Sequence, residues 1–272
     1  MYSASTYDVL AGQQMKSRFL VAFLLLMSAN CRSLPPHETG FLNRTVTAGG
    51  HVYPYVVYVP RDFDSQREWP VILFLHGSGE RGTDGVRATQ IGVAAAIRAH
   101  PEWVRAVAVF PQAPPDSRWL DEPADAAIAA LDAAIKEFRG DRTHVYLTGL
   151  SMGGYGTYHL ALAHPTRFAA AVVVCGGLLP HETTTAVRQS PLTAGAADPY
   201  AFTAHALRKL PIWIFHGDAD PVIPVAESRR MAEELRREGA DVRYTEFPGV
   251  GHNSWDRAYG DETLWRWLFT RR

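Results

Sequence analysis

The feature that most constrains this chain lies within Val145–Gly156, where an apolar run ends in the pentapeptide Gly149–Gly153, with Ser151 at its centre. The run predicts a buried strand end, and Gly153–Ala163 predicts a helix that stops before Pro165. A G-x-S-x-G sequence at such a turn pushes its serine out of the backbone, where a base and a carbonyl group can reach it. Both flanking glycines are needed, because a Cβ at either position would collide with the neighbouring strand or helix.

Strands and helices alternate along most of the remaining chain. Continuous apolar strands between helices indicate a mostly parallel sheet covered on both faces, which is a doubly wound α/β fold. Tyr53–Val59 mixes Tyr, Pro and Val, and we expect it at an antiparallel edge. The other predicted strands are Val71–Leu75, Ala106–Phe110, Val145–Leu147, Phe168–Val174, Ile212–Phe215 and Val242–Phe247. The predicted helices are Ile91–Ala99, Ala124–Phe138, Gly153–Ala163, Val225–Glu238 and Trp255–Phe269.

The composition fits one sizeable α/β domain, with 272 residues, 47% of them hydrophobic, and a formal net charge of −1. Such a charge gives no reason to expect nucleic acid or an acidic membrane surface as a partner. We predict an export signal with an upstream extension in residues 1–33, a linker in 34–50 and a catalytic domain in 51–272. Residues 178–207 break the rhythm and are interpreted as an excursion between strands, close to the site.

The N-terminal segment has the layout of an export signal. Lys16 and Arg18 precede an apolar run, residues 19–27, which is too short for a permanent membrane span and is followed by small residues. Met15 is an alternative start to Met1. We expect a periplasmic or secreted protein, with lipid modification at Cys31 as one alternative and a disordered apolar tail as the other.

The sequence predicts no metal or organic cofactor. Cys175, the only other cysteine, ends an apolar run and is expected to be a small buried hydrophobe. No Cys/His cluster has zinc spacing, and neither H-E-x-x-H nor a glycine-rich phosphate loop is present.

A serine nucleophile requires a base and a carboxylate that orients the base. In doubly wound hydrolases both follow the serine along the chain, the acid first and the histidine second. His252 follows the last predicted strand in a glycine-containing loop and is the expected base. Asp220 lies in a rigid Asp-Pro-Val-Ile-Pro turn and is favoured as the acid over Asp218, which is expected to cap that turn through backbone N–H groups. The histidines that follow other strand ends are expected to hold their loops by local hydrogen bonds.

The oxyanion formed during attack on a carbonyl requires two N–H donors. The backbone N–H of Met152, at a helix N-terminus, is one candidate. The loop Leu75–Gly82 follows an earlier strand, and the N–H of Ser78 is the second candidate, although His-Gly-x-Gly can also be a plain turn. Trp119 follows a strand at its C-terminal end, so it either lines a substrate pocket or only packs.

Four segments together resemble the α/β-hydrolase esterases of the dienelactone hydrolase, feruloyl-esterase and polyhydroxybutyrate-depolymerase-like group, some of which are described as predicted peptidases. These segments read L-H-G-S-G-E-R-G, G-L-S-M-G-G-Y-G, G-D-A-D-P-V-I-P and G-H-N-S-W, within Tyr53–Phe269. The resemblance implies a triad of Ser151, Asp220 and His252. It also implies oxyanion donors at Ser78 and Met152. The nucleophile is serine, unlike the cysteine of true dienelactone hydrolases, which indicates ordinary ester chemistry.

The expected activity is therefore hydrolysis of a small-molecule or polymer-linked carboxylic ester through an acyl-enzyme. Three alternatives remain, namely a peptidase or an acyltransferase that uses the same triad, and a non-catalytic surface-binding protein on a hydrolase scaffold.

Overall fold

The predicted apolar runs form one sheet. The computed structural model describes residues 37–181 and 187–272. Within them the strands are β1 (Gly40–Ala48), β2 (His51–Val59), β3 (Trp69–Leu75), β4 (Val107–Pro111), β5 (Gly140–Leu150), β6 (Ala170–Val174), β7 (Ile212–Gly217) and β8 (Val242–Phe247). Their order is β1-β2-β4-β3-β5-β6-β7-β8. β2 is antiparallel to both β1 and β4, and the other neighbouring pairs are parallel.

Helices cover both faces of this sheet. They are α1 (Val93–Ala99), α2 (Asp121–Glu137), α3 (Met152–Ala163), α4 (Pro199–Leu207), α5 (Ala226–Arg237), α6 (Trp255–Tyr259) and α7 (Glu262–Leu268). Side chains alternate across a strand. In β3, accordingly, Val71 and Leu73 pack into the core beneath α2 to α5, whereas Ile72 and Phe74 pack into the core beneath α1, α6 and α7. This two-sided burial explains the unbroken apolar runs and confirms the predicted fold class.

The predicted linker, residues 34–50, is wrong over most of its length, because Gly40–Ala48 forms β1. This strand pairs along the whole of β2, with Gly40 opposite Val59 and Ala48 opposite His51. β2 is antiparallel, as expected, but it is not the edge. The strand was missed because β1 is only half-buried and the polar run Asn43–Thr45 interrupts its apolar residues, so neither a continuous apolar run nor a regular alternation marks it. Leu42 and Val46 pack against the core, whereas Arg44 pairs with Glu137 of α2.

The predicted closing helix, Trp255–Phe269, is divided into two helices. The first helix ends at Tyr259, Gly260 follows it, and Asp261 then caps α7 by accepting the N–H of Thr263. The excursion contains α4, which Asp198 caps.

All described residues from Glu38 onward belong to one compact unit. The export signal, Met15 and Cys31 lie outside the described residues. No described helix has the length and apolar character needed to cross a bilayer.

Candidate active site

Ser151 occupies a strained turn between β5 and α3. Its φ of 51° and ψ of −119° lie in a region that non-glycine residues rarely adopt. A Cβ on Gly153 would lie 1.9 Å from the carbonyl oxygen of Leu75, and one on Gly149 would lie 2.2 Å from the oxygen of Gly153. The expectation that both glycines prevent backbone collisions is therefore confirmed.

The structure brings the three predicted catalytic side chains into one hydrogen-bonded chain. His252 Nε2 lies 2.9 Å from Ser151 Oγ, and His252 Nδ1 lies 2.7 Å from Asp220 Oδ2. The side chain of His252 is 20% exposed, whereas that of Asp220 is fully buried. An imidazole in this position can take the serine proton on Nε2 while Nδ1–H donates to the carboxylate.

The Asp220 carboxylate is held from four directions. Its Oδ1 accepts the N–H groups of Val222 and Ile223 at 2.8 and 3.0 Å, and its Oδ2 lies 3.1 Å from His216 Nε2 as well as near His252. Burial alone would raise the pKa of Asp220, but these hydrogen bonds outweigh burial and hold the pKa well below its ordinary value. The carboxylate is therefore ionised across the physiological range.

His216 is a site residue whose contact with the acid the sequence reasoning missed. Its ring is fully buried, its Nδ1 lies 2.7 Å from Ser228 Oγ, and its Nε2 faces both Asp220 and the carbonyl oxygen of Ile223. Two acceptors at Nε2 require that this nitrogen carries a proton, and Nδ1 shares a hydrogen bond with the hydroxyl of Ser228. The signal was the four-residue spacing between His216, at the end of β7, and Asp220 in the loop that follows.

Asp218 does not contact His252 in this hydrogen-bonded chain. Its Oδ1 accepts the N–H of Gly249 at 2.7 Å and so connects the loop after β7 to the loop after β8. Asp218 thus binds a backbone N–H, but not in the turn that it is expected to cap. The N–H groups of that turn, from Val222 and Ile223, are accepted by Asp220.

The two candidate oxyanion donors belong to segments that adjoin the serine. Met152 begins α3, so its N–H is one of the groups that a helix leaves without an internal partner. Ser78 follows Gly77, and a Cβ on Gly77 would lie 3.6 Å from the Cβ of Ser151. The loop after β3 therefore passes directly beside the serine, which fits the predicted arrangement.

His76 fixes the orientation of this loop. Its Nε2 accepts the N–H of Ala113 at 3.0 Å, so its Nδ1 carries the proton and donates to the carbonyl oxygen of Gly77 at 2.6 Å. The peptide that contains this carbonyl also contains the Ser78 N–H, which points the opposite way because peptide units are planar and trans. Burial lowers the pKa of His76 to about 4, so the ring is neutral at pH 7.

A cavity lies beside Met152, the residue that follows the serine. Its lining residues are Arg118, Trp119, Leu120, Met152, Tyr155, Gly156, Val187 and Arg188. Trp119 borders this cavity, is 2% exposed, and donates its indole N–H to the carbonyl oxygen of His76 at 2.9 Å. The residue is therefore packed into the core and also forms part of the cavity wall.

Among the described residues, one group of three side chains could offer a metal ion its ligands. Cys175, Asp220 and His252 each place a ligand atom within 4.8 Å of the others. Cys175 is fully buried, and burial raises the pKa of its thiol. Because Asp220 and His252 already engage each other, the hydrogen-bonded chain accounts for this cluster without an ion.

The fold of this chain is that of the α/β-hydrolases. A crystal structure of a thermostable esterase superposes with a TM-score of 0.72 and 32% identity, over 85% of this chain and 63% of that one. The prolyl oligopeptidase family matches residues 116–270, which is more than half of the chain. The chain belongs to this family.

Curated relatives agree with the predicted group. A probable feruloyl esterase C of Aspergillus terreus is 26% identical over 185 residues, which cover 66% of this chain and 60% of that protein. An uncharacterised secreted protein of Arthroderma benhamiae is 25% identical over 207 residues, covering 70% of this chain and 22% of that one. The prediction of an α/β-hydrolase that resembles the esterase group is confirmed at the level of fold and family. The chain spans less than two thirds of the length of the feruloyl esterase and of the thermostable esterase.

Proposed function

We propose that this protein hydrolyses carboxylic esters through an acyl-enzyme formed on Ser151. The observation that carries the proposal is the continuous chain Ser151 Oγ–His252 Nε2, His252 Nδ1–Asp220 Oδ2, with separations of 2.9 and 2.7 Å. Both separations are those of real hydrogen bonds, and both fall in the range in which a base takes a proton directly.

The reaction proceeds in two steps. His252 Nε2 takes the Ser151 proton as Oγ attacks the ester carbonyl carbon, and the negative charge on the carbonyl oxygen is stabilised by the N–H groups of Ser78 and Met152. The imidazolium, stabilised by Asp220, returns its proton to the leaving alkoxide, and the alcohol departs. Water then attacks the acyl-enzyme by the same proton transfers and releases the carboxylic acid. No step requires a cofactor.

Replacement of the nucleophile tests the proposal. Ser151→Ala should retain the fold and lose p-nitrophenyl acetate hydrolysis by at least about 10⁴-fold, because no other group replaces the attacking oxygen. A fluorophosphonate probe should label the wild type at Ser151 and leave the variant unlabelled. Turnover that survives in the folded variant would exclude Ser151 as the nucleophile.

The two neighbouring aspartates provide a matched control for the acid. Asp220→Asn should reduce kcat strongly, because Asp220 contacts His252 Nδ1, whereas Asp218→Asn should act mainly through the Gly249 contact and cost less. A larger kcat loss at Asp218 would overturn the assignment.

A peptidase is the second candidate, because the matching family is described as the prolyl oligopeptidase family. Parallel kinetics on short acyl esters, feruloyl esters and peptide amides separate the two reactions. Faster turnover of amides than of matched esters would favour the peptidase.

We also propose that the protein is exported. The charged and apolar pattern of residues 16–29 motivates this proposal, and a secreted relative supports it. Mass spectrometry of the mature N-terminus tests it, including lipid modification at Cys31. A cytoplasmic product with an intact N-terminus would exclude export.

A further inference from the structure

The Asp220 carboxylate has a second imidazole beside it. His216 Nε2 lies 3.1 Å from Asp220 Oδ2, the same oxygen that His252 Nδ1 approaches at 2.7 Å. The side chains of His216 and Asp220 are both fully buried, so bulk water does not compete for this contact. The acid therefore has a buried donor that the reaction described above does not use.

The ring of His216 is held at its other nitrogen. His216 Nδ1 lies 2.7 Å from the hydroxyl of Ser228, which is 2% exposed. His216 belongs to β7 and Ser228 to α5, so this contact joins the sheet to the helix that follows the Asp220 loop. Rotation of the ring would leave a buried hydroxyl without this partner, which is costly. Ser228 thus helps to fix the direction in which Nε2 points.

The same ring nitrogen also holds the Asp220 loop. Nε2 of His216 lies 3.0 Å from the carbonyl oxygen of Ile223, and the N–H of Ile223 donates to Asp220 Oδ1 at 3.0 Å. Oδ1 accepts a second N–H, from Val222, at 2.8 Å. Each carboxylate oxygen thus has a donor other than His252. These donors oppose rotation of the carboxylate and keep Oδ2 facing His252.

The negative charge of the acid also depends on this donor. Burial acts to raise the pKa of Asp220, and the hydrogen bonds, first of all the one from His216, hold it well below its ordinary value. A buried carboxylate that loses a donor turns toward another one or takes up a proton. Either change would withdraw the acceptor that keeps the Nδ1 proton of His252 in place.

We propose that His216, held by Ser228, is a positioning residue that keeps the Asp220 carboxylate turned toward His252. The inference rests on the proposed ester hydrolysis and adds a residue to the machinery of that reaction. His216 acts through Asp220 and not on the ester itself.

Removal of the ring nitrogens tests the proposal. His216→Phe keeps a buried ring but no donor, and kcat on p-nitrophenyl acetate should fall at least about 10-fold, because a displacement of about 1 Å near a catalytic group can cost about 100-fold. KM should stay within about 2-fold, because no contact with the substrate is lost. Exhaustive fluorophosphonate labelling counts the active sites, so kcat is expressed per labelled site and unfolded enzyme does not lower it. An unchanged kcat per site would overturn the proposal.

Two carboxamides at position 216 separate the role of the donor from that of a polar side chain. The amide nitrogen of glutamine is as many bonds from Cβ as Nε2 of histidine, whereas the amide nitrogen of asparagine corresponds to Nδ1. His216→Gln therefore keeps a donor for Asp220 and should recover most of the lost kcat. His216→Asn keeps a polar group near Ser228 only and should not. Equal kcat values for the two variants would indicate a merely structural role and overturn the proposal.

A double variant tests whether His216 acts through the acid. In the Asp220→Ala background there is no carboxylate to position. Adding His216→Phe to that background should therefore cost less than about 3-fold in kcat, since residues that act as a unit are not additive. A further loss as large as the one that His216→Phe causes in the wild type would contradict the proposed route.

His159→Gln is the matched control. His159 Nδ1 lies 2.9 Å from Ser190 Oγ, so this variant removes a similar imidazole–serine contact, but one between α3 and the excursion. Its kcat should equal that of the wild type. A loss as large as that of His216→Phe would show that the effect is not specific to the acid, and would overturn the proposal.

Further measurements separate the possible failures. If His216→Phe does not fold, Ser228→Ala releases the ring without removing its nitrogens and should lower kcat by about 3-fold, in keeping with the loss of one hydrogen bond. An unchanged kcat in folded Ser228→Ala would then overturn the proposal. If the wild type is neither labelled by the fluorophosphonate nor active on any ester, the proposed function itself fails, and this inference fails with it.

Discussion

At the scale of single residues, His76 shows how a group outside the reacting atoms prepares the site. Its ring hydrogen bonds determine its tautomer, and the tautomer determines the direction of the peptide that offers the Ser78 N–H. A proton added to Nε2 would remove the acceptor for Ala113 N–H inside a fully buried pocket. The neutral ring is therefore part of the folded structure.

The depressed pKa of His76 predicts a pH dependence of stability. The pKa is about 4 in the folded protein, against an ordinary value near 6.5, so between these values the unfolded chain binds a proton that the folded chain does not. The contribution of His76 to the free energy of unfolding should thus be complete above about pH 6.5. About 3 kcal/mol of it should be lost as the pH falls to about 4. Urea unfolding at several pH values measures it.

A variant pair isolates this contribution. His76→Asn keeps a donor for the carbonyl of Gly77 but does not titrate, so its stability should change less between pH 6.5 and 4 than that of the wild type. His205→Asn removes an exposed histidine and should keep the wild-type slope. Identical slopes in wild type and His76→Asn would contradict the assignment.

At the scale of elements, one packed unit consists of β5, the serine turn and α3. Its packing leaves no space for an added atom at Gly153. Gly153→Ala should lower the melting temperature markedly or prevent folding, because its Cβ would meet the Leu75 carbonyl at 1.9 Å, and overpacking costs about 1–3 kcal/mol or more. The control is Gly195→Ala, where nothing lies within 4 Å of the new Cβ. Equal melting temperatures for the two variants would show that the turn can relax.

The sequence predicts those elements best whose environment leaves a clear pattern. Residues buried on two faces give continuous apolar runs, so Val71–Leu75 is recognisable at once. β1 is only half-buried and contains the polar run Asn43–Thr45, so nothing in 34–50 distinguishes it from a linker until its pairing with β2 is known. The order of the motifs along the chain also predicts that Asp220 lies near His252. The hydrogen bond between Glu227 and the Leu178 N–H depends on the path of the excursion, and no local sequence pattern encodes that path.

At the scale of the whole molecule, the parallel strands bring the loops after β3, β5, β7 and β8 to one edge of the sheet. Loops far apart in sequence meet there because the carboxyl ends of parallel strands point the same way. The antiparallel pair β1 and β2 lies at the opposite end of the strand order from β7 and β8 and extends the sheet beyond β4.

This placement predicts different outcomes for two truncations. A chain that begins at Glu38 retains β1 and should unfold cooperatively. One that begins at His51 loses the partner of β2, exposes an unpaired strand, and should be less stable and more prone to aggregate. Melting curves and light scattering compare the two, and equal behaviour would show that β1 is dispensable.

The sharing of one carboxylate between two imidazoles has a consequence for motion. In the proposed mechanism His252 passes a proton between oxygens, and His216 and two backbone amides would keep their hydrogen bonds to Asp220 if His252 rotated away from Oδ2. Under that proposal the carboxylate can stay in place during turnover, and only the His252 ring has to move.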